Sequence, residues 1–153
     1  MRIAVACDHA AVEHKRAIRA HLEQAGHVVT DFGTDGPASC DYPDHAGPAC
    51  QALVDGTVDR AVLVCGSGIG VSITANKFPG VRCALAYNVE TARLAAEHND
   101  AQALAIGARF HDVAAALAMV DAWLAGRFET RHQRRLDKIR AIERAVISEG
   151  RTC

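Results

Sequence analysis

Residues 61–77, Ala-Val-Leu-Val-Cys-Gly-Ser-Gly-Ile-Gly-Val-Ser-Ile-Thr-Ala-Asn-Lys, constrain the fold more tightly than any other stretch of the chain. The uninterrupted apolar run Ala61–Val64 fits a strand buried on both faces, as in a parallel sheet. Gly66, Gly68 and Gly70 then alternate with small residues, and Val71–Lys77 reads as the opening of a helix. Cys65 is thereby placed at the carboxyl edge of a strand, facing bare backbone N–H groups and a helix N-terminus. Both features stabilise negative charge, on a bound anion or on the sulfur itself. The segment reads as a base or nucleophile beside an anion hole.

Strand-like and helix-like segments alternate along the rest of the chain. Ile3–Cys7 is short and apolar. Val12–Ala25 carries Ile18 and Leu22 at helical spacing, and Gly26 ends it as a C-cap does. Val28–Phe32 is a second strand, followed by the polar loop Gly33–Pro43 and a helix over Ala46–Val54. After Ala61–Cys65 come a strand at Val81–Ala86, a helix at Val89–His98, a strand at Ala103–Ile106 and a helix at Val113–Leu124. This order predicts an α/β fold: a Rossmann-like three-layer αβα sandwich with a five-stranded parallel sheet, its ligand at the carboxyl ends of the strands. The whole chain, 1–153, suits one domain. An appended amphipathic helix is expected over Glu129–Glu149. Leu136, Ile139, Ile142 and Val146 give it one apolar stripe, which needs something to pack on, such as a second subunit.

Composition narrows the class. Half of the residues are hydrophobic, 23% are charged and the net charge is -1. That balance excludes disorder and gives no global attraction to nucleic acid or to an anionic membrane. No apolar run approaches the roughly 20 residues that span a bilayer, and Met-Arg-Ile-Ala-Val-Ala-Cys-Asp enters a strand pattern at once, unlike a signal peptide. The six cysteines, at 7, 40, 50, 65, 83 and 153, contain no C-x-x-C pair. Reduced thiols in a cytoplasmic protein are the expectation, with neither a zinc site nor a disulfide framework.

Four constellations carry candidate chemistry. Cys65 with its glycine loop could also be a structural cysteine before a tight turn. The spacing is G-x-G-x-G rather than the dinucleotide fingerprint G-x-G-x-x-G. A cysteine phosphatase loop would need an arginine where Val71 stands. Asp8-His9 follows the first strand, where Asp8 suits an N-cap and His9 is placed for a ligand. His98-Asn99-Asp100 lies in a helix-to-strand loop, which belongs on the edge opposite the site unless a second subunit brings it round. Arg131 and Arg135, four apart, share a helix face and could grip a phosphate, or could simply solvate that face.

Seven motifs together resemble the family of ribose-5-phosphate isomerase B and the galactose-6-phosphate isomerase subunits. They are Ala-Cys-Asp-His-Ala (6–10), Asp-Tyr-Pro (41–43), Cys-Gly-Ser-Gly-Ile-Gly-Val-Ser (65–72), Ala-Asn-Lys (75–77), His-Asn-Asp (98–100), Gly-Ala-Arg (107–109) and Arg-His-Gln-Arg-Arg (131–135). The resemblance runs from Met1 to about Ile147. It implies that Cys65 is the catalytic base, of the branch without a glutamate at the place of Val71. It implies that Ser67 assists proton transfer, that His98 opens the sugar ring and that Asn99 contacts the ligand. Asp8, His9, Tyr42, Arg109, Arg131 and Arg135 match substrate-binding positions, the basic ones near the phosphate. A homodimer or tetramer with sites shared between subunits follows, in the non-oxidative branch of the pentose phosphate pathway.

The residues suit that chemistry on their own terms. Aldose–ketose interconversion moves a proton between C1 and C2 through a cis-enediolate, so it needs a base and fixed donors for the oxyanion. The amides around Gly66, Ser67, Gly68, Gly70 and Ser72 are expected to face the enediolate. No metal or other cofactor is expected. A hexose phosphate, galactose 6-phosphate or allose 6-phosphate, is an alternative substrate. A non-catalytic sugar-phosphate-binding module is an alternative of another class.

Overall fold

The computed structural model describes residues 1–148 and Gly150. Its strands are β1 (Arg2–Cys7), β2 (Val28–Asp31), β3 (Arg60–Cys65), β4 (Cys83–Ala86) and β5 (Ala103–Gly107). Its helices are α1 (Val12–Gln24), α2 (Tyr42–Val54), α3 (Ile69–Ala75), α4 (Val89–Asn99), α5 (Val113–Ala125) and α6 (Gln133–Ser148). All strand pairs are parallel, in the order β2-β1-β3-β5-β4. The expected α/β sandwich is therefore present. β1 and β3 are covered on both faces, which is why their sequences are continuously apolar, whereas edge strand β2 alternates between exposed and half-buried.

The two faces of the sheet differ in side-chain size. Ile3, Val5, Val62, Val64, Leu104 and Ile106 point one way, into a core with Ile18, Leu22, Met119 and Trp123 of α1 and α5. Ala4, Ala6, Ala61, Leu63, Ala103 and Ala105 point the other way, toward α2 and α3. The two-residue period of a strand sorts large from small residues in this way. Cys65, in phase with Ala61 and Leu63, falls on the alanine-lined face, where α2 and α3 pack.

Most boundaries fall within two residues of the sequence expectation, β4 for example beginning at Cys83 rather than Val81, and three differences bear on the site or the last helix. α2 begins at Tyr42 rather than Ala46, because Pro43 sits in its first turn, where a missing N–H costs nothing. α3 begins at Ile69, two residues early, directly after Gly68. The last helix begins at Gln133 rather than Glu129. Glu129 is extended (φ -91°, ψ 114°) and Thr130–His132 form a 3-10 turn. On α6 only Leu136 is buried, while Ile139 and Ile142 are 46% and 66% exposed. Glu149 and Cys153 lie outside the described residues. Among the described residues no helix is long and apolar enough to cross a membrane.

A buried lysine fixes the loop that leads to α2. Lys15 of α1 is 1% exposed, with Nζ at 2.9 Å from Asp31 Oδ2, 2.7 Å from Asp35 Oδ1 and 3.0 Å from the Thr34 carbonyl. Burial disfavours its charge, but the hydrogen bonds to Asp35 and Asp31 outweigh that and raise its pKa. Gly33 lies against this clamp so closely that a Cβ would stand 2.7 Å from both Cys7 N and Lys15 Cδ. Lys15→Met should therefore lower stability by roughly 1–3 kcal/mol, the range for orphaned buried polar groups. Urea unfolding checks this, and an unchanged midpoint would show that the clamp contributes nothing.

Candidate functional site

β3 ends on Cys65, which is 4% exposed, and the chain then turns back over the sulfur. The Gly68 N–H donates to Cys65 Sγ at 3.1 Å. Gly68 has φ +77°, and a Cβ there would lie 2.6 Å from Leu85 Cδ1 and 2.9 Å from Gly107 N. Only glycine meets both the left-handed backbone and the close approach of β5. The Ala108 N–H bonds the Cys65 carbonyl at 2.9 Å and the Arg109 N–H bonds the Gly66 carbonyl at 3.0 Å, stitching the loop to the end of β5. Ser67 Oγ accepts the Ile69 N–H at 3.3 Å. Among the described residues the amides of Gly66 and Ser67 in the loop have no acceptor, nor do those of Gly70 and Val71 in the first turn of α3, where a helix leaves its N–H groups unpaired. The Ser72 amide, expected to join them, is instead spent on the Gly68 carbonyl at 3.1 Å.

Four candidate side chains lie at this carboxyl edge, two of them, Tyr42 and Arg109, directly against the loop. Asp8 follows β1, which lies beside β3 at the point where the strand order reverses. It is 7% exposed, and its Oδ1 caps the next turn through the Ala10 N–H at 3.0 Å. His9 Nδ1 lies 3.2 Å from the Cys40 N–H and 3.3 Å from the Cys40 carbonyl oxygen, which ties the ring to the loop before α2. The Tyr42 ring stands over Gly70, where a Cβ would approach its Cζ to 2.5 Å. The Arg109 guanidinium lies over Gly66, with Cζ 3.0 Å from where a Cβ would be. Val71, at the position of the alternative base, is buried in the core and offers no proton acceptor. Burial pushes the Cys7 and Cys83 thiols up to about 12 and that of Cys50 up to about 11, so these three stay protonated near neutral pH.

The remaining candidates gather elsewhere. His98 and Asn99 close α4, which returns from the carboxyl edge of the sheet to its amino edge. Within one chain, His98 is therefore on the edge opposite Cys65. Arg131 Nη2 is 3.4 Å from His98 Nε2 and 2.6 Å from Glu129 Oε2. Arg135 Nη1 donates to His132 Nδ1 at 2.5 Å, and the His98 and His132 ring centroids are 4.3 Å apart. Glu129 and His132 carried no assignment from sequence. Their only signal was adjacency to Arg131, because the contact with His98 joins segments over 30 residues apart. The donor atoms of His98, Glu129 and His132 lie within 4.8 Å of one another, close enough for a metal cage. Arg131 already holds Glu129, however, and Arg135 flanks His132, so the charge of this cluster suits an anion.

A family model described as Ribose/Galactose Isomerase matches residues 3–139. The chain belongs to the ribose/galactose isomerase family. Among relatives of this isomerase, ribose-5-phosphate isomerase B of Mycolicibacterium paratuberculosis is 47% identical, covering 94% of this chain and 92% of its own. The protein of the same name from Escherichia coli is 42% identical over 93% and 96%. The solved ribose-5-phosphate isomerase B of Clostridium thermocellum superposes with a TM-score of 0.92 at 43% identity, covering 95% of this chain and 99% of that one. The Mycoplasma genitalium protein with bound ribulose-5-phosphate gives a TM-score of 0.90 at 36% identity, covering 94% and 96%.

The histidine cluster gives this isomerase a pH signature. Burial lowers the pKa of His132, and the charges of Arg131, His98 and Arg135 lower it further, with Glu129 opposing. An unfolded histidine takes up its proton near about pH 6.5, whereas folded His132 resists it. The unfolded state then binds more protons, so stability is intact above about pH 6.5 and falls as pH drops toward the folded pKa. His132→Asn should flatten the decline in urea midpoint between about pH 7 and about pH 5. Parallel wild-type and variant curves would exclude His132 as its source.

Proposed function

We propose that this chain interconverts ribose 5-phosphate and ribulose 5-phosphate through a cis-enediolate, with Cys65 as the base. The observation that carries this reading is the Gly68 N–H aimed at Cys65 Sγ at 3.1 Å, inside a loop whose neighbouring amides are free. A thiolate there gains a fixed donor. It takes the C2 proton of the open-chain aldose, and the electron pair moves to the C1 oxygen. The free amides of Gly66, Ser67 and Gly70 face the oxyanion, and Ser67 Oγ assists proton movement between the two oxygens. Return of the proton from Cys65 to C1 gives the ketose. His98, as acid/base, opens the furanose ring beforehand.

The two edges combine when a second copy supplies the histidine and arginines. Two observations support such a shared site. Cys65 and His98 lie on opposite edges of one sheet, and the apolar stripe of α6 at Ile139 and Ile142 is left uncovered. Arg131 and Arg135 then hold the phosphate, with His9 and Arg109 reaching it from the other side, while Asp8, Tyr42 and Asn99 contact the sugar. The five described cysteines are free thiols, in keeping with a cytoplasmic setting.

A specific observation keeps the substrate range broader than one pentose. A relative named D-erythrulose-4-phosphate isomerase, from Pectobacterium atrosepticum, is 38% identical over 84% of this chain and 86% of its own. Purified protein assayed on ribose 5-phosphate, erythrulose 4-phosphate, allose 6-phosphate and galactose 6-phosphate tests the assignment directly. The pentose is expected to have the highest kcat/KM, and a higher value for any other sugar would replace it.

Cys65→Ala should abolish turnover while leaving substrate binding nearly intact, because the base acts mainly in the transition state. More than a tenth of wild-type kcat in that variant would remove Cys65 from the role. Arg135→Ala should raise KM strongly, through loss of a charge-assisted contact worth about 1.5–3 kcal/mol. Mixing the two variants at a substrate concentration well below the raised KM of Arg135→Ala tests the shared site, since a hybrid dimer would hold one site with both defects and one intact site. Activity should return on subunit exchange. Hybrids verified by native mass spectrometry yet inactive would refute sharing.

A further inference from the structure

One carboxylate organises the whole cluster at the amino edge. Glu129 Oε2 is 2.6 Å from Arg131, 3.4 Å from His132 Nε2 and 3.8 Å from His98 Nε2. Its backbone is fixed to α4, since the Glu129 N–H donates to the Glu97 carbonyl at 2.8 Å, one residue before His98. His132 is 6% exposed, and its Nδ1 is occupied by Arg135, so its ring proton is on Nε2. That Nε2 has no hydrogen-bond partner among the described residues and lies nearest to Glu129. Two arginines and two imidazoles thus crowd together, with the Glu129 carboxylate as the counter-charge between them. Arg131 holds the Glu129 carboxyl below its ordinary range, so it is ionised at neutral pH.

We propose that Glu129 is a positioning residue for ring opening. It holds His98 and Arg131 in one frame, so that the acid/base group and the phosphate grip arrive at the sugar together. The proposal rests on the role given to His98 above. Glu129 itself touches neither the C–H bond that breaks nor Cys65. At saturating substrate, where a weakened phosphate grip no longer limits the rate, its loss should therefore spare the proton transfer between C1 and C2 and impair the steps that need the ring opened or closed. A merely structural residue would impair both alike.

Glu129→Gln, which keeps shape and removes charge, separates these outcomes. Two rates are measured on the intact protein: isomerisation of ribose 5-phosphate, and solvent deuterium exchange at C1 of ribulose 5-phosphate, which has no furanose ring. Isomerisation should fall about tenfold, in kcat more than in KM, with C1 exchange within about twofold of wild type. Equal loss of both rates, or no loss of either, overturns the proposal. Histidine-selective NMR adds a second readout. Removing the one group that favours protonated His132 should lower its pKa further, and an unmoved value would likewise overturn the proposal. His98→Asn is run alongside. If it loses both rates equally, the ring-opening role of His98 fails, whatever Glu129→Gln shows.

Discussion

The hydrogen bond from the Gly68 amide to Cys65 Sγ is the contact on which the rest of the carboxyl edge depends. It forms only because residue 68 turns left-handed, and that turn is tolerated only because β5 ends in glycine beside it. A Cβ at Gly107 would meet the Ser67 carbonyl at 2.6 Å, just as one at Gly68 would meet Gly107. The two glycines therefore let the loop lie flat against the end of β5. The bonds from the Ala108 and Arg109 amides keep it there. Sulfur, donor and arginine are thus positioned by backbone, which holds geometry better than long side chains do.

The asymmetry of the sheet makes room for this arrangement. Alanines at 4, 6, 61, 103 and 105 carry little bulk, so the packing with α2 and α3 is made close to the strands. Tyr42 at the start of α2 and Gly70 in α3 are brought into contact above the cysteine as a result. Large residues at these positions would separate the layers and open the loop. The opposite face carries the bulk of the core, including Trp123, whose Nε1–H bonds the Ala101 carbonyl at 3.0 Å.

What the sequence disclosed follows from the range of each interaction. The strand–glycine–helix unit around Cys65 is local, and its geometry was readable from 17 consecutive residues, 61–77. Asp8 as an N-cap was readable for the same reason. The start of α2 was misplaced because Pro43 reads equally as a loop residue and as a first-turn residue, and only the packing of Tyr42 on Gly70 distinguishes them. Strand order, with β5 between β3 and β4, depends on contacts between distant segments and has no local signature. The buried Lys15 was likewise hidden, because its partners Asp31 and Asp35 come from the next strand and loop. Glu129 shows the limit most clearly. It was assigned to a helix from the stripe that follows it, yet it lies in extended backbone before a 3-10 turn, which is what lets its carboxylate reach His98.

The two edges of the chain solve opposite electrostatic problems. At the carboxyl edge, neutral amide dipoles favour a negative charge, such as that of the proposed enediolate. At the amino edge, permanent cations are held together by the chain itself. Arg131, Arg134, Arg135 and Lys138 line one surface cavity there. Among the described residues, Arg131 is paired with Glu129, while Asp137 of α6 pairs with Arg140 outside the cavity. A phosphate dianion is the natural counter-ion for such a surface, since bidentate guanidinium contacts match its geometry. In its absence Glu129 supplies the negative charge from within the chain. Under the proposed phosphate grip, Arg131 would be shared between this internal carboxylate and the incoming phosphate.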